Sequence, residues 1–155
     1  MRIMHLLPAV FLAVAFPLMA PQAAPLDDIK MAFAKGEKMA KTAKRGSKRR
    51  RVKGATQALE QYSFAFRAIQ AANLGGLQPE LLKKVRGAIA ELNGLDIVKR
   101  IKADLRAELI TALEEGRNAE AVALLERLLS IDARDAGVEQ ALRSLREGLG
   151  RGSQP

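Results

Sequence analysis

Carboxylates stand in pairs at Asp27 with Asp28, Glu114 with Glu115 and Asp132 with Asp135. Holding a divalent cation takes several oxygen ligands at regular intervals within one loop, and none of the three pairs has that spacing. The acids near Asn118 and Asp135 instead suit helix ends, where they cap free N–H groups and complement the helix dipole. Gly75 and Gly76 have no phosphate-loop companions and read as a turn. The chain has no cysteine, which removes disulfides, thiolate nucleophiles and cysteine zinc sites together. The one histidine, His5, lies in an N-terminal stretch with the layout of a signal, so a processed protein is expected to have neither an imidazole base nor a histidine metal ligand. The sequence therefore assigns no catalytic residue, no metal ligand and no cofactor, and reads as a non-enzyme.

A different chemistry is concentrated in Lys44, Arg45, Lys48, Arg49, Arg50, Arg51 and Lys53. The chain has a formal net charge of +9, and residues 27–54 carry eleven Lys/Arg against three acids, a surplus of eight. Arg2 adds one more, while residues 55–155 hold fourteen basic and fourteen acidic side chains. The basicity thus belongs to one segment, an anion-binding candidate. Anionic lipid or lipopolysaccharide suits such a cluster beside a basic amphipathic helix. Nucleic acid is its rival through counterion release, weakened by the absence of interleaved aromatics to stack on bases. A solvated linker is the plain alternative.

The elements that position these residues follow from periodicity. At 155 residues the chain has room for one ordinary core. Aromatics make up 4%, Trp is absent and Tyr62 is the single tyrosine, a composition suited to packed helices. The expected class is all-α: antiparallel helical hairpins, as a small bundle or stack. Residues 1–23 have the layout of a signal peptide, with basic Met1 to His5, apolar Leu6 to Met19 and then small residues. The apolar run is too short, and too broken by Pro8 and Pro17, for a comfortable spanning helix. An uncleaved anchor is the alternative, because Lys30, Lys35 and Lys38 place positive charge just behind it.

Residues 24–54 read as a basic amphipathic arm, helical from Asp27 to Arg45 and stopped at Gly46, with 46–54 a mobile linker. Residues 55–149 read as the helical domain. Its stripes are Leu59, Tyr62, Phe66 and Ile69; then Leu82, Val85, Ile89 and Leu92 behind Pro79; then Ile97 to Leu113 ending at Gly116. Asn118 caps a further helix carrying Val122, Leu125, Leu128 and Leu129, and Asp135 caps a last one carrying Val138, Leu142, Leu145 and Leu149. The tail, 150–155, is expected to be disordered.

The stretch EEGRNAEAVALLERLLSIDARD resembles the second half of a tetratricopeptide repeat, with the likeness covering about residues 102 to 149. On that pattern Gly116 falls at the turn, Ala121 at the small crossing position, Leu125 at the large apolar position and Leu128 at the next packing position. Ala133 replaces the usual terminating proline, and the preceding helix lacks the family's bulky aromatic and Leu-Gly pair. Any tight pair of helices also wants a glycine at its turn and a small residue at its crossing. The resemblance implies a scaffold that binds a protein or peptide partner. With the signal, it leads to an exported, periplasmic or secreted adaptor whose basic arm touches an anionic envelope surface. The alternative is a membrane-anchored or cytoplasmic chain whose arm binds nucleic acid; oligomeric state is left open.

Overall fold

In the computed structural model, residues 26–152 are described, and their regular structure is entirely helical. The helices are α1 (Leu26–Lys44), α2 (Lys48–Ala71), α3 (Pro79–Asn93), α4 (Asp96–Glu114), α5 (Asn118–Ile131) and α6 (Ala136–Gly152). The signal reading of 1–23 lies outside the described residues. None of these helices is long and apolar enough to cross a membrane.

Local chemistry explains most boundaries. Pro79 opens α3, where its missing N–H costs nothing. Asp135 precedes α6 and its Oδ1 accepts from the Val138 N–H at 3.2 Å, a side-chain N-cap. Gly116 takes φ +69° after α4, and Arg117 N–H reaches back to the Ala112 carbonyl at 2.8 Å. That bond and the Gly116-to-Leu113 bond form a Schellman closure. The same closure ends α2, but Asn73, at φ 52°, holds its left-handed position, and Leu74 N–H bonds the Ile69 carbonyl at 3.0 Å. Gly75 and Gly76 therefore lie beyond the helix stop. Asn118 is not the cap of α5: it is the first helical residue, behind Arg117.

The largest departure from the sequence reading is the segment 46–54. Only Arg45 to Ser47 separates α1 from α2, and residues 48–54 are the opening turns of α2. Small residues explain why. A Cβ on Gly54 would lie 2.9 Å from the Ala43 nitrogen and 3.1 Å from the Met39 carbonyl, so two helix backbones nearly touch there. Farther along, the Tyr62 ring lies over Gly36 and meets Phe33 at 5.4 Å between centroids, tilted by 41°. As residue numbers rise from 33 to 43 on α1, their partners fall from 62 to 54 on α2, so the two helices run in opposite senses.

Nor does the arm stand apart from the core. Ile29, Ala32 and Ala43 are buried in the same cluster as Leu59, Tyr62 and Ile69. Val85, Ile89 and Leu92 of α3, Val98 of α4, and Leu128 and Ile131 of α5 complete that cluster, while Leu125, Leu129 and Leu142 form a smaller one between α5 and α6. Helix α2 is central, packing on α1, α3, α4 and α5. Two residues expected inside are exposed: Leu113, whose place is taken by Ala112, and Leu149. Residues 150–152, expected in a disordered tail, belong to α6, which continues to Gly152; 153–155 lie outside the described residues.

Candidate functional site

The basic residues meet at the α1–α2 corner. Lys41 and Lys44 come from the last turn of α1, Arg45 from the connection, and Lys48, Arg49, Arg50, Arg51 and Lys53 from the first turns of α2. No acid occurs in sequence between Glu37 and Glu60. Lys44 pairs with Glu91 of α3. Arg51 Nε donates to the Ala43 carbonyl at 3.3 Å, tying the first turn of α2 to the last turn of α1. Arg45, Lys48, Arg49, Arg50 and Lys53 form no ion pair among the described residues, so their charge faces solvent. Cations at the end of α1 suit its dipole, whereas four of them opening α2 oppose it, and no acid offsets them in that turn. The corner thus presents cationic groups on a fixed backbone, at an electrostatic cost to the helix that carries them.

Gly116 makes the turn, Ala121 is fully buried, and Leu125 and Leu128 are buried on the same side of α5. Ala121, Leu125 and Leu128 belong to the interior and offer no surface to a ligand, while Gly116 is exposed at the turn.

Two polar side chains are buried among the described residues: Ser63, which the sequence did not single out, and Asp132, which it read only as one of a carboxylate pair. Ser63, in the middle of α2, accepts a hydrogen bond from the Ala133 N–H at 3.4 Å, linking the central helix to the α5–α6 connection. Asp132 ends α5 and is ringed by donors: Arg134 Nε at 2.9 Å, Arg134 N–H at 3.3 Å and Lys102 Nζ at 3.4 Å. Burial pushes its carboxyl up, but the Arg134 hydrogen bonds and charge, with Lys102 beyond, outweigh burial and hold it below the usual carboxylate range. Lys102 also donates to Asn93 Oδ1 at 3.1 Å, and Arg134 to the Arg86 carbonyl at 3.3 Å, so this network joins α3, α4 and α5. A signal existed in the spacing of Asp132 and Arg134, but the partners on α3 and α4 have no local signature.

Among the described residues no group of three or more His, Cys, Asp or Glu side chains is placed to hold a metal ion. Comparison with protein-family models, with curated proteins and with solved structures returns no match for this chain.

Proposed function

We propose that the chain is an exported, non-catalytic helical scaffold that rests its basic corner on an anionic envelope surface and offers its helical body to a protein or peptide partner. The observation that carries this reading is the α1–α2 corner, where Arg45, Lys48, Arg49, Arg50 and Lys53 project from packed helices without acidic partners. A cluster that opposes the dipole of its own helix does not serve local stability, which favours a role in binding. Each cation near an anionic membrane contributes on the order of 1 kcal/mol, so several acting together suffice for reversible association. The likeness of residues 102–149 to a tetratricopeptide repeat supports the scaffold half of the reading.

The test replaces Lys48, Arg49, Arg50 and Lys53 with Gln and retains Arg51, whose bond to Ala43 is structural. Helicity and thermal midpoint should hold or rise, because four opposing charges leave the start of α2. Binding to phosphatidylglycerol vesicles and lipopolysaccharide should be strong for the wild type, fade as salt approaches a molar, where the Debye length falls to about 3 Å, and be weak for the variant at every salt. Unchanged vesicle affinity in the variant would overturn the role of the corner. Salt-sensitive binding to DNA with none to vesicles would replace it with the nucleic-acid reading.

A further inference from the structure

A cleft of about 790 Å³ opens between α2 and α3 on one side and α6 on the other. Phe66, Leu129 and Leu142 form its apolar floor, and they are nearly covered already. The rim is cationic: Arg67 from α2, Arg86 from α3, Arg134 from the α5–α6 connection, and Arg143 and Arg146 from α6. Glu139 and Glu147 are the carboxylates that share the lining, so five positive side chains meet two negative ones. This imbalance sits in a body, 55–155, whose charges sum to zero.

The five arginines are not equally committed. Arg134 is fixed on Asp132, and Arg146 pairs with Glu126. Arg143 holds Glu139 at 3.5 Å between two largely exposed side chains, a weak pair that a ligand carboxylate can displace. Arg67 donates at 3.4 Å to the Ser63 carbonyl, and the Arg86 guanidinium lies 5.7 Å from the Phe66 ring centroid; neither has a carboxylate partner among the described residues. Every cation of the rim is Arg, whose planar fork engages a carboxylate through two parallel hydrogen bonds, a geometry Lys cannot supply.

We infer that this cleft is a docking site for an acidic peptide segment, whose carboxylates pair with Arg67, Arg86 and Arg143. The volume falls within the range of ligand-binding clefts, and a rim of five arginines against two carboxylates, above a nearly closed apolar floor, matches a segment whose acids supply the missing charge. Nucleic acid matches the rim but not the floor, because the aromatic there, Phe66, is buried beneath Arg86 rather than open for a base to stack on. The inference rests on the reading of the chain as a partner-binding scaffold and gives that partner a surface and a chemistry.

The test uses the full chain and a fluorescein-labelled short peptide of alternating Glu and Leu, with its Gln-for-Glu counterpart and an oligothymidylate as controls. The wild type should bind the Glu peptide at least about tenfold more tightly than the Gln peptide, and the Arg67→Gln/Arg86→Gln/Arg143→Gln variant should lose that preference. These side chains lie on the surface, and an unchanged thermal midpoint would show that the variant is folded. Vesicle binding by the variant should equal that of the wild type, separating the cleft from the corner. Equal binding of the Glu and Gln peptides would overturn the acidic assignment while leaving a scaffold, and no binding of either would overturn the cleft as a peptide site. Tight oligothymidylate binding lost in the variant would assign the cleft to nucleic acid, and loss of dimers in the variant would assign it to a second copy of the chain.

Discussion

Tyr62 is the residue on which the packing of α1 against α2 is most easily read, because it is the one tyrosine of a chain without tryptophan. Its ring covers Gly36 and touches Phe33, and its hydroxyl titrates near pH 12, raised by burial first and then by the charges of Glu37 and Glu91. Folding therefore favours the neutral phenol. The contribution is complete below the ordinary tyrosine value near 10 and is lost as pH rises from there through about 12. Alkaline titration of tyrosinate absorbance should show a single midpoint near 12 in the folded protein and near 10 in denaturant. A folded midpoint near 10 would mean that α1 does not cover the ring.

At the scale of elements, two glycines in helix interiors are expected to respond oppositely to the same substitution. Gly54→Ala gains helix propensity of about 1 kcal/mol but drives a methyl into the backbone of α1, and overpacking of that kind costs about 1–3 kcal/mol. Gly87→Ala in α3 gains the same propensity with nothing within 4 Å of the new methyl. Thermal unfolding should place Gly54→Ala below the wild type and Gly87→Ala several degrees above it. A stabilised Gly54→Ala would contradict the close approach at that point.

The same contrast explains what could be read in advance. The starts of α3 and α6 and the stop of α4 were legible because Pro79, Asp135 and Gly116 act on the backbone within a few residues of themselves, Pro79 and Gly116 by conformation and Asp135 by its carboxylate. The stripes of Val85, Ile89 and Leu92, and of Leu125 and Leu128, were legible because bulk at helical spacing needs no partner to be recognised. Residues 48–54 were misread because their contact surface is Gly54 and Ala55, side chains too small to register as an apolar face until a second backbone lies against them. The basic corner was visible as a cluster, though not its rigidity. The cleft was invisible, since its arginines stand at positions as distant as 67 and 146 and only folding collects them.

For the whole molecule, the decisive point is that α1 shares a core with the rest. A chain beginning at Ala55 keeps every helix after α2 and most of α2 itself, yet it uncovers Tyr62 and leaves the core without Ile29, Ala32 and Ala43. Such a truncation should lose cooperative thermal unfolding and bind a hydrophobic dye, because losses of this size approach the total stability of a small domain. A sharp transition at the wild-type midpoint would restore the view of the first helix as an appendage.

The length of α2 has a mechanical meaning. Arg50 at the corner and Phe66 in the cleft are sixteen residues apart on one uninterrupted helix, which at 1.5 Å per residue is a rigid strut of about 24 Å. Electrostatic influence decays over about 8 Å at physiological salt, so a charge at one end of the strut is scarcely felt at the other. A ligand seated in the cleft is held at a fixed standoff from whatever surface grips the corner, and the two occupancies are set independently. Lengthening the strut by whole turns of helix would raise the cargo without altering either grip, whereas a proline at its middle would let it swing.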